Sequence, residues 1–268
     1  MKKVNSLAGR FYPKMMALLT GLMVCSGFFL SKAHAEVADT LLKIKPAVIG
    51  IGTYQPLRSP RGQLKGTGFV VADGRHVVTC YHIVKALPDV EKNETWAVFV
   101  GQGRNIQYRP ASKVVIDEEN DLVLLKIEGD PLPVLKLGDE TAAREGEQLY
   151  FTGYPIGSVL GLNASTHRAG LAAIVPIFQP LGQAGRLNAR TIRQADNPYR
   201  IFQLDAIAYP GNSGSPLWNP KTGEVMGVVN SVFIKGAKET VLTDPSGISY
   251  AIPATYIRDL MKRAGLSQ

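Results

Sequence analysis

Gly211-Asn212-Ser213-Gly214-Ser215-Pro216, preceded by Pro210, places a serine between two glycines. Glycine adopts backbone bends that a Cβ resists. Such a bend can aim successive N–H groups at one point and hold a hydroxyl beside them. An acyl-transfer nucleophile needs that arrangement, because the developing oxyanion must meet donors already in place. Glycine-rich turns carrying a serine are also common as plain loops, so the motif needs support from the rest of the chain.

A hydroxyl is a weak nucleophile at neutral pH and requires a base. Histidine titrates near neutrality and is the usual choice. The chain has four, His34, His76, His82 and His167. His34 lies in a segment expected to be removed. His76 and His167 have polar or turn-like neighbours and read as surface residues. His82 lies in Val77-Val78-Thr79-Cys80-Tyr81-His82-Ile83-Val84, an apolar, β-rich run facing a packed interior. The third group should be a buried acid that orients the imidazole. Asp121 opens Asp121-Leu122-Val123-Leu124-Leu125-Lys126-Ile127, and an aspartate against a buried strand is costly unless partnered. The alternative is a turn aspartate capping Glu118-Glu119-Asn120. Chain order then discriminates between triad folds. No histidine follows Ser213, which excludes the α/β-hydrolase order. The order His82, Asp121, Ser213 is that of the chymotrypsin fold.

The segments around these residues resemble the protease domain of the HtrA (DegP/DegS) family of trypsin-like serine proteases. Gly66-Thr67-Gly68-Phe69-Val70-Val71 resembles the strand before the family's histidine, and Val78 to Val84 resembles the histidine segment. Asn120 to Ile127, Leu204 to Leu217 and Gly247 to Pro253 resemble the aspartate strand, the nucleophile segment and the last strand. Three positions depart from the family. Gly214-Ser215 replaces two glycines, Cys80-Tyr81 precedes the histidine, and Tyr209 stands where asparagine is frequent. The 15 residues after Pro253 are too few for the PDZ domain that HtrA proteins commonly carry, so the expectation is a protease domain alone.

The resemblance implies a serine endopeptidase acting on protein or peptide substrates through His82, Asp121 and Ser213. It implies an oxyanion hole at Gly211, Asn212 and Ser213. It places the base of the substrate pocket six residues before the nucleophile, at Ile207, with Asn230, Ser231, Val232 and Phe233 as its wall. An isoleucine there supplies no negative charge, so the expected preference is for small or medium apolar residues. No cofactor or metal is expected. HtrA relatives often form trimers through N-terminal aromatic contacts, and Tyr54 is the candidate for a homo-oligomer here. The family also has loop-controlled active sites. A second reading is therefore a latent or catalytically silent peptide-binding or chaperone-like module, with Tyr154–Gln183 as a sensor loop. An esterase with little peptidase activity is a third.

Residues 1–35 read as a secretory signal peptide. Lys2, Lys3, Arg10 and Lys14 precede a 16-residue uncharged apolar run, Met15 to Leu30, and Ala33-His34-Ala35 is a cleavage site. Cleavage would leave no stable membrane anchor, and an uncleaved anchor is the alternative. Export to the periplasm or outside is the expected location. The net charge of +8 owes five basic residues to this segment, and the remaining 25 basic and 22 acidic residues leave +3, which does not point to nucleic acid. Cys80 is then the sole mature cysteine, read as a buried inert thiol.

The rest divides into short β-rich segments punctuated by Gly, Pro and Asp, which predicts an all-β protein. Strands are expected at 47–53, 67–72, 76–82, 96–100, 114–116, 122–127, 148–153, 170–175, 201–205, 225–232 and 249–252. Ile257, Leu260, Met261 and Ala264 predict a C-terminal helix over 255–264. A short lead-in helix is expected at Lys43 to Lys45. The expected architecture is a chymotrypsin-like double β-barrel. Residues 36–140 form a first barrel with His82 and Asp121, and residues 141–268 form a second with Ser213 and the helix. The site should lie in the cleft between them.

Overall fold

In the computed structural model, residues 37–103, 105–156, 162–177, 199–231 and 247–267 are described. The expected signal peptide, Val232 and Phe233 lie outside them. The chain enters through a helix, α1 (37–44), longer than the lead-in expected, and a 3-10 turn, Lys45–Ala47. Six strands follow: β1 (Val48–Tyr54), β2 (Gly62–Val71), β3 (His76–Cys80), β4 (Thr95–Gln102), β5 (Asn105–Asp117) and β6 (Leu122–Ile127). They close into an antiparallel barrel in the order β1-β2-β3-β6-β5-β4. A second closed barrel, in the order β10-β11-β12-β9-β8-β7, is built from β7 (Gln148–Gly153), β8 (Ser165–Ile177), β9 (Tyr199–Asp205), β10 (Pro216–Trp218), β11 (Val225–Asn230) and β12 (Ile248–Pro253). The all-β double barrel with a C-terminal helix is thus the fold that the sequence predicts.

Val, Ile and Leu runs fix the buried strands, since β-branched side chains pack well on a pleated surface. β3 and β11 are buried at every position. β5 has no buried residue, and its burial alternates between intermediate and exposed. That weak apolar contrast explains why only 114–116 of its 13 residues were legible as strand. β10 was not expected at all: it has three residues, starts at a proline and is identified by its pairing with β7 and β11. The segment 154–183 is not one irregular loop either, because β8 occupies residues 165–177.

The helix α3 (Ala254–Arg263) follows the last strand of the second barrel yet packs on β5 and β6 of the first, as well as on β11. Its buried Ile257, Leu260 and Met261 join the core cluster that holds Phe69, Val78 and Leu124. Arg263 pairs with Asp117 at 2.9 Å and Arg258 with Glu140 at 2.5 Å. The chain's last element therefore straps one barrel to the other and sets the junction at which the site forms.

Candidate active site

His82 does not continue the strand. β3 ends at Cys80, and residues Tyr81–Val84 form a single helical turn, α2. The apolar run marks the strand and the turn alike, so periodicity could not separate them. Leaving the strand carries the imidazole out of the barrel wall to a quarter-exposed position, with 25 % of its side chain accessible. Cys80 stays behind, fully buried, so the two do not share a strand face. Burial pushes the Cys80 thiol well up, and the nearby Asp121 charge adds to this.

Asp121 closes the turn before β6 with φ +50°, a left-handed conformation that Asp tolerates better than most residues. Its carboxylate accepts three hydrogen bonds. The His82 backbone N–H lies 2.8 Å from Oδ1, while His82 Nδ1 at 2.5 Å and Asn230 Nδ2 at 2.8 Å meet Oδ2. The capping role that was the alternative for Asp121 belongs to Asp117, whose Oδ1 accepts from Asn120 N–H at 3.1 Å. With Nδ1 facing the carboxylate, the imidazole turns its Nε2 face away from Asp121.

Ser213 lies between β9 and β10 and is 3 % exposed. Gly211 (φ +97°) and Gly214 (φ +87°) hold conformations that a side chain would strain, and a Cβ on Gly214 would strike Thr67 O. The loop is anchored from the other barrel. Thr67 N–H donates to Ser213 O at 3.0 Å, and Thr67 Oγ1 donates to Gly211 O at 2.7 Å. That hydroxyl also accepts from Tyr154 N–H at 3.0 Å, while Thr79 Oγ1 donates to Thr67 O at 2.6 Å. Among the three N–H groups expected at the oxyanion hole, that of Asn212 is engaged in a turn with Tyr209 O at 3.0 Å. The N–H groups of Gly211 and Ser213 have no partner among the described residues. Asn212 thus belongs to the loop's scaffold.

Ser213 Oγ bonds Ser231 Oγ and accepts from Ser231 N–H at 3.2 Å; no hydrogen bond joins it to His82. Catalytic contacts are often long before substrate binds and tighten afterwards. Of the residues expected on the pocket wall, Asn230 reaches Asp121 and Ser231 reaches Ser213. Ile207 is half-buried in the segment leading to Gly211. His76 and His167 are not surface residues. His76 is 7 % exposed with Nδ1 2.7 Å from Asp73 Oδ1. His167 stacks on Phe151 at 4.8 Å, and burial pushes its pKa down. Thr67 is the residue that sequence reasoning undervalued. Its signal was present, a hydroxyl in a strand between two glycines.

Cys80, His82 and Asp121 each offer a ligand atom within 4.8 Å of the others. The buried thiol resists ionisation, and His82 Nδ1 already faces Asp121, so this cluster fits a positioned imidazole better than a metal.

Comparison with known proteins agrees with this architecture. The chain is 30% identical over 210 residues to a probable periplasmic serine endoprotease DegP-like from Pseudomonas putida, a match covering 74% of this chain and 36% of that protein. It is 33% identical over 233 residues to serine protease HTRA1A from Danio rerio, covering 84% and 40% respectively. The chain thus spans well under half the length of these relatives. Among solved structures, the Rv3671c protease of M. tuberculosis in its active form superposes with a TM-score of 0.60 at 22% identity, covering 85% of each chain. The serine endoprotease of Yersinia pestis gives 0.57 at 22%, covering 85% of this chain and 66% of that one. Residues 66–228, from the strand that anchors the Ser213 loop to the strand that carries Asn230, match the trypsin-like peptidase domain, and the chain belongs to that family.

Proposed function

We propose that this chain is a serine endopeptidase in which Ser213 attacks a substrate carbonyl, His82 takes its proton and Asp121 holds the imidazole. The observation that carries the reading is the three-donor cradle around Asp121, one of whose members is His82 Nδ1. A carboxylate in that position fixes the tautomer with a proton on Nδ1, which leaves Nε2 as the basic atom. Attack by Oγ forms the C–O bond as the proton passes to Nε2. The oxyanion is received by the N–H groups of Gly211 and Ser213. Collapse of the intermediate expels the amine, which takes the proton back from Nε2. Water then repeats the sequence on the acyl-enzyme. Loss of one such oxyanion donor typically costs ~10²–10³ in rate.

Protein substrates, cleavage after small or medium apolar residues at a pocket based on Ile207, and export under a cleaved signal over 1–35 belong to the same proposal. So do barrel units at 36–140 and 141–268 and a homo-oligomer. Support for export comes from the name of the DegP-like relative, which is described as periplasmic. The bond from Ser213 Oγ to Ser231 favours a second reading, in which the site rests in a latent arrangement until a substrate or effector turns the hydroxyl towards His82. A fluorophosphonate probe with casein and peptide digestion tests both. Labelling and cleavage that vanish in Ser213→Ala support the protease. Labelling that needs added peptide supports latency, and no labelling under any condition refutes the enzyme.

A further inference from the structure

Two β-bulges in the first barrel aim lysines at one indole beside the His82 turn. Lys65 is the extra residue of the first bulge, since Leu64 pairs with Gly52 and Gly66 with Ile51. The second lies between Lys113 and Val115, which pair with Leu125 and Leu124. A bulge bends its strand and redirects a side chain, and bulges are frequent next to active sites. Here Lys65 Nζ lies 5.3 Å and Lys113 Nζ 5.7 Å from the Trp96 ring centroid, and Lys113 is also 5.7 Å from the ring of Tyr81.

This patch presents two cationic donors. Neither lysine has a carboxylate partner among the described residues. Burial pushes the Lys113 ammonium down, as expected for a partly desolvated charge without a counter-ion. The indole N–H of Trp96 is buried and also lacks an acceptor among the described residues. Glu118 accepts from Tyr81 Oη at 3.3 Å, at the edge of the patch. Aromatic faces hold ammonium groups in place and leave their outer hydrogens free for an anion.

The patch adjoins the catalytic residues along the chain at both ends. Tyr81 precedes His82, and Lys65 is two residues from Thr67, whose N–H holds Ser213 O at 3.0 Å. The oxyanion donors and the Ile207 segment lie on the second barrel, so the acyl half of a substrate faces that side. The amine half departs towards His82 on the first barrel, where the lysines stand. We infer that Lys65 and Lys113, held on Trp96 and Tyr81, form a binding site for acidic residues of the polypeptide substrate, on the C-terminal side of the bond to be cleaved. The inference rests on the protease reading and adds the charge class that the leaving segment should carry.

Binding to the Ser213→Ala chain tests it without turnover. The probes are fluorescein-labelled peptides with one neutral cleavage sequence followed by three glutamates, three glutamines or three lysines, read by anisotropy. The glutamate peptide should bind about tenfold tighter than the glutamine peptide at low salt, the sum expected of two exposed ion pairs. The gap should close at about 0.5 M salt, where screening is strong. The additional changes Lys65→Gln and Lys113→Gln should abolish it. Equal binding of the glutamate and glutamine peptides, or a preference that survives both changes, overturns the inference. Tighter binding of single-stranded DNA than of the glutamate peptide through the same lysines also overturns it, in favour of a nucleic-acid surface. Its failure is distinguishable from failure of the protease reading. A chain that cleaves the neutral peptide without acid preference loses only the subsite, and one that binds glutamate without cleaving anything loses only the protease.

Discussion

Replacing Thr67 by valine removes one oxygen and leaves the volume nearly unchanged, so no cavity opens. What is lost is the pair of hydrogen bonds through which the first barrel holds the nucleophile loop. Gly211 O loses its donor at 2.7 Å and Tyr154 N–H its acceptor at 3.0 Å. Thr67 is fully buried, whereas Gly211 retains partial exposure, so water can satisfy one orphan better than the other. An unsatisfied buried polar group costs about 1–3 kcal/mol. The expected loss of stability is therefore about 2–4 kcal/mol, read by urea denaturation. The catalytic effect has a different origin. The Gly211 carbonyl shares its peptide unit with the Asn212 N–H, midway between the two proposed oxyanion donors, so its release loosens the backbone that spaces the Gly211 and Ser213 N–H groups and misplaces one of them. Loss of one such donor predicts a kcat about 10²-fold lower with little change in KM. Thr67→Ser keeps the hydroxyl and should restore most of kcat. The reasoning is refuted if Thr67→Val loses stability and retains full kcat, or if Thr67→Ser is as impaired as Thr67→Val.

Asn230→Ala removes the 2.8 Å donor to Asp121 Oδ2 from the second barrel. A hydrogen bond to a charged group is worth about 1.5–3 kcal/mol, so kcat should fall about tenfold or more, and steady-state kinetics showing no change would remove Asn230 from the machinery. Glu94 is held at a pKa of about 2 by Asp89 N–H, Thr53 and Arg58. Because its folded value lies below the ordinary one, its contribution is complete above about pH 4.5 and is lost as pH falls towards about 2. The Tm gap between the wild-type chain and Glu94→Gln should shrink over that window, and a gap independent of pH would contradict the pairing. The buried, protonated Cys80 thiol should resist iodoacetamide in the folded chain and react once urea unfolds it, as mass spectrometry would show; alkylation of native protein at the rate of a free thiol would refute the burial.

The sequence is legible where chemistry and local backbone coincide. Ser213 announces itself because Gly211 and Gly214 must bend at positive φ. Asp121 stands out because a charge opening Leu122–Ile127 needs partners. The buried strands show as Val, Ile and Leu runs. What is illegible depends on long-range pairing. Nothing local marks Pro216–Trp218 as a strand, since β7 and β11 make it one. The helical turn under His82 is as apolar as the strand before it. His76 looks like a turn residue until Asp73 is found against it.

The two barrels hold each other's functional groups. The first barrel's Thr67 grips the loop that carries the second barrel's serine, and the second barrel's Asn230 grips the first barrel's aspartate. A slip between barrels would loosen both contacts at once, misplacing the proposed nucleophile and base together. α3 opposes such a slip, because it leaves the second barrel through Pro253 and buries Ile257, Leu260 and Met261 against the core shared with the first. Weakening that strap, for example by Leu260→Ala, should therefore lower stability by about 2–5 kcal/mol, as expected for a buried leucine. It should also lower kcat although no atom of Leu260 belongs to the site. A variant equally destabilised in the second core, such as Leu149→Ala, keeps the strap and controls for stability alone. If both variants lose kcat equally, the strap has no special hold on the site, and if only Leu260→Ala does, alignment of the barrels governs the geometry of the proposed triad.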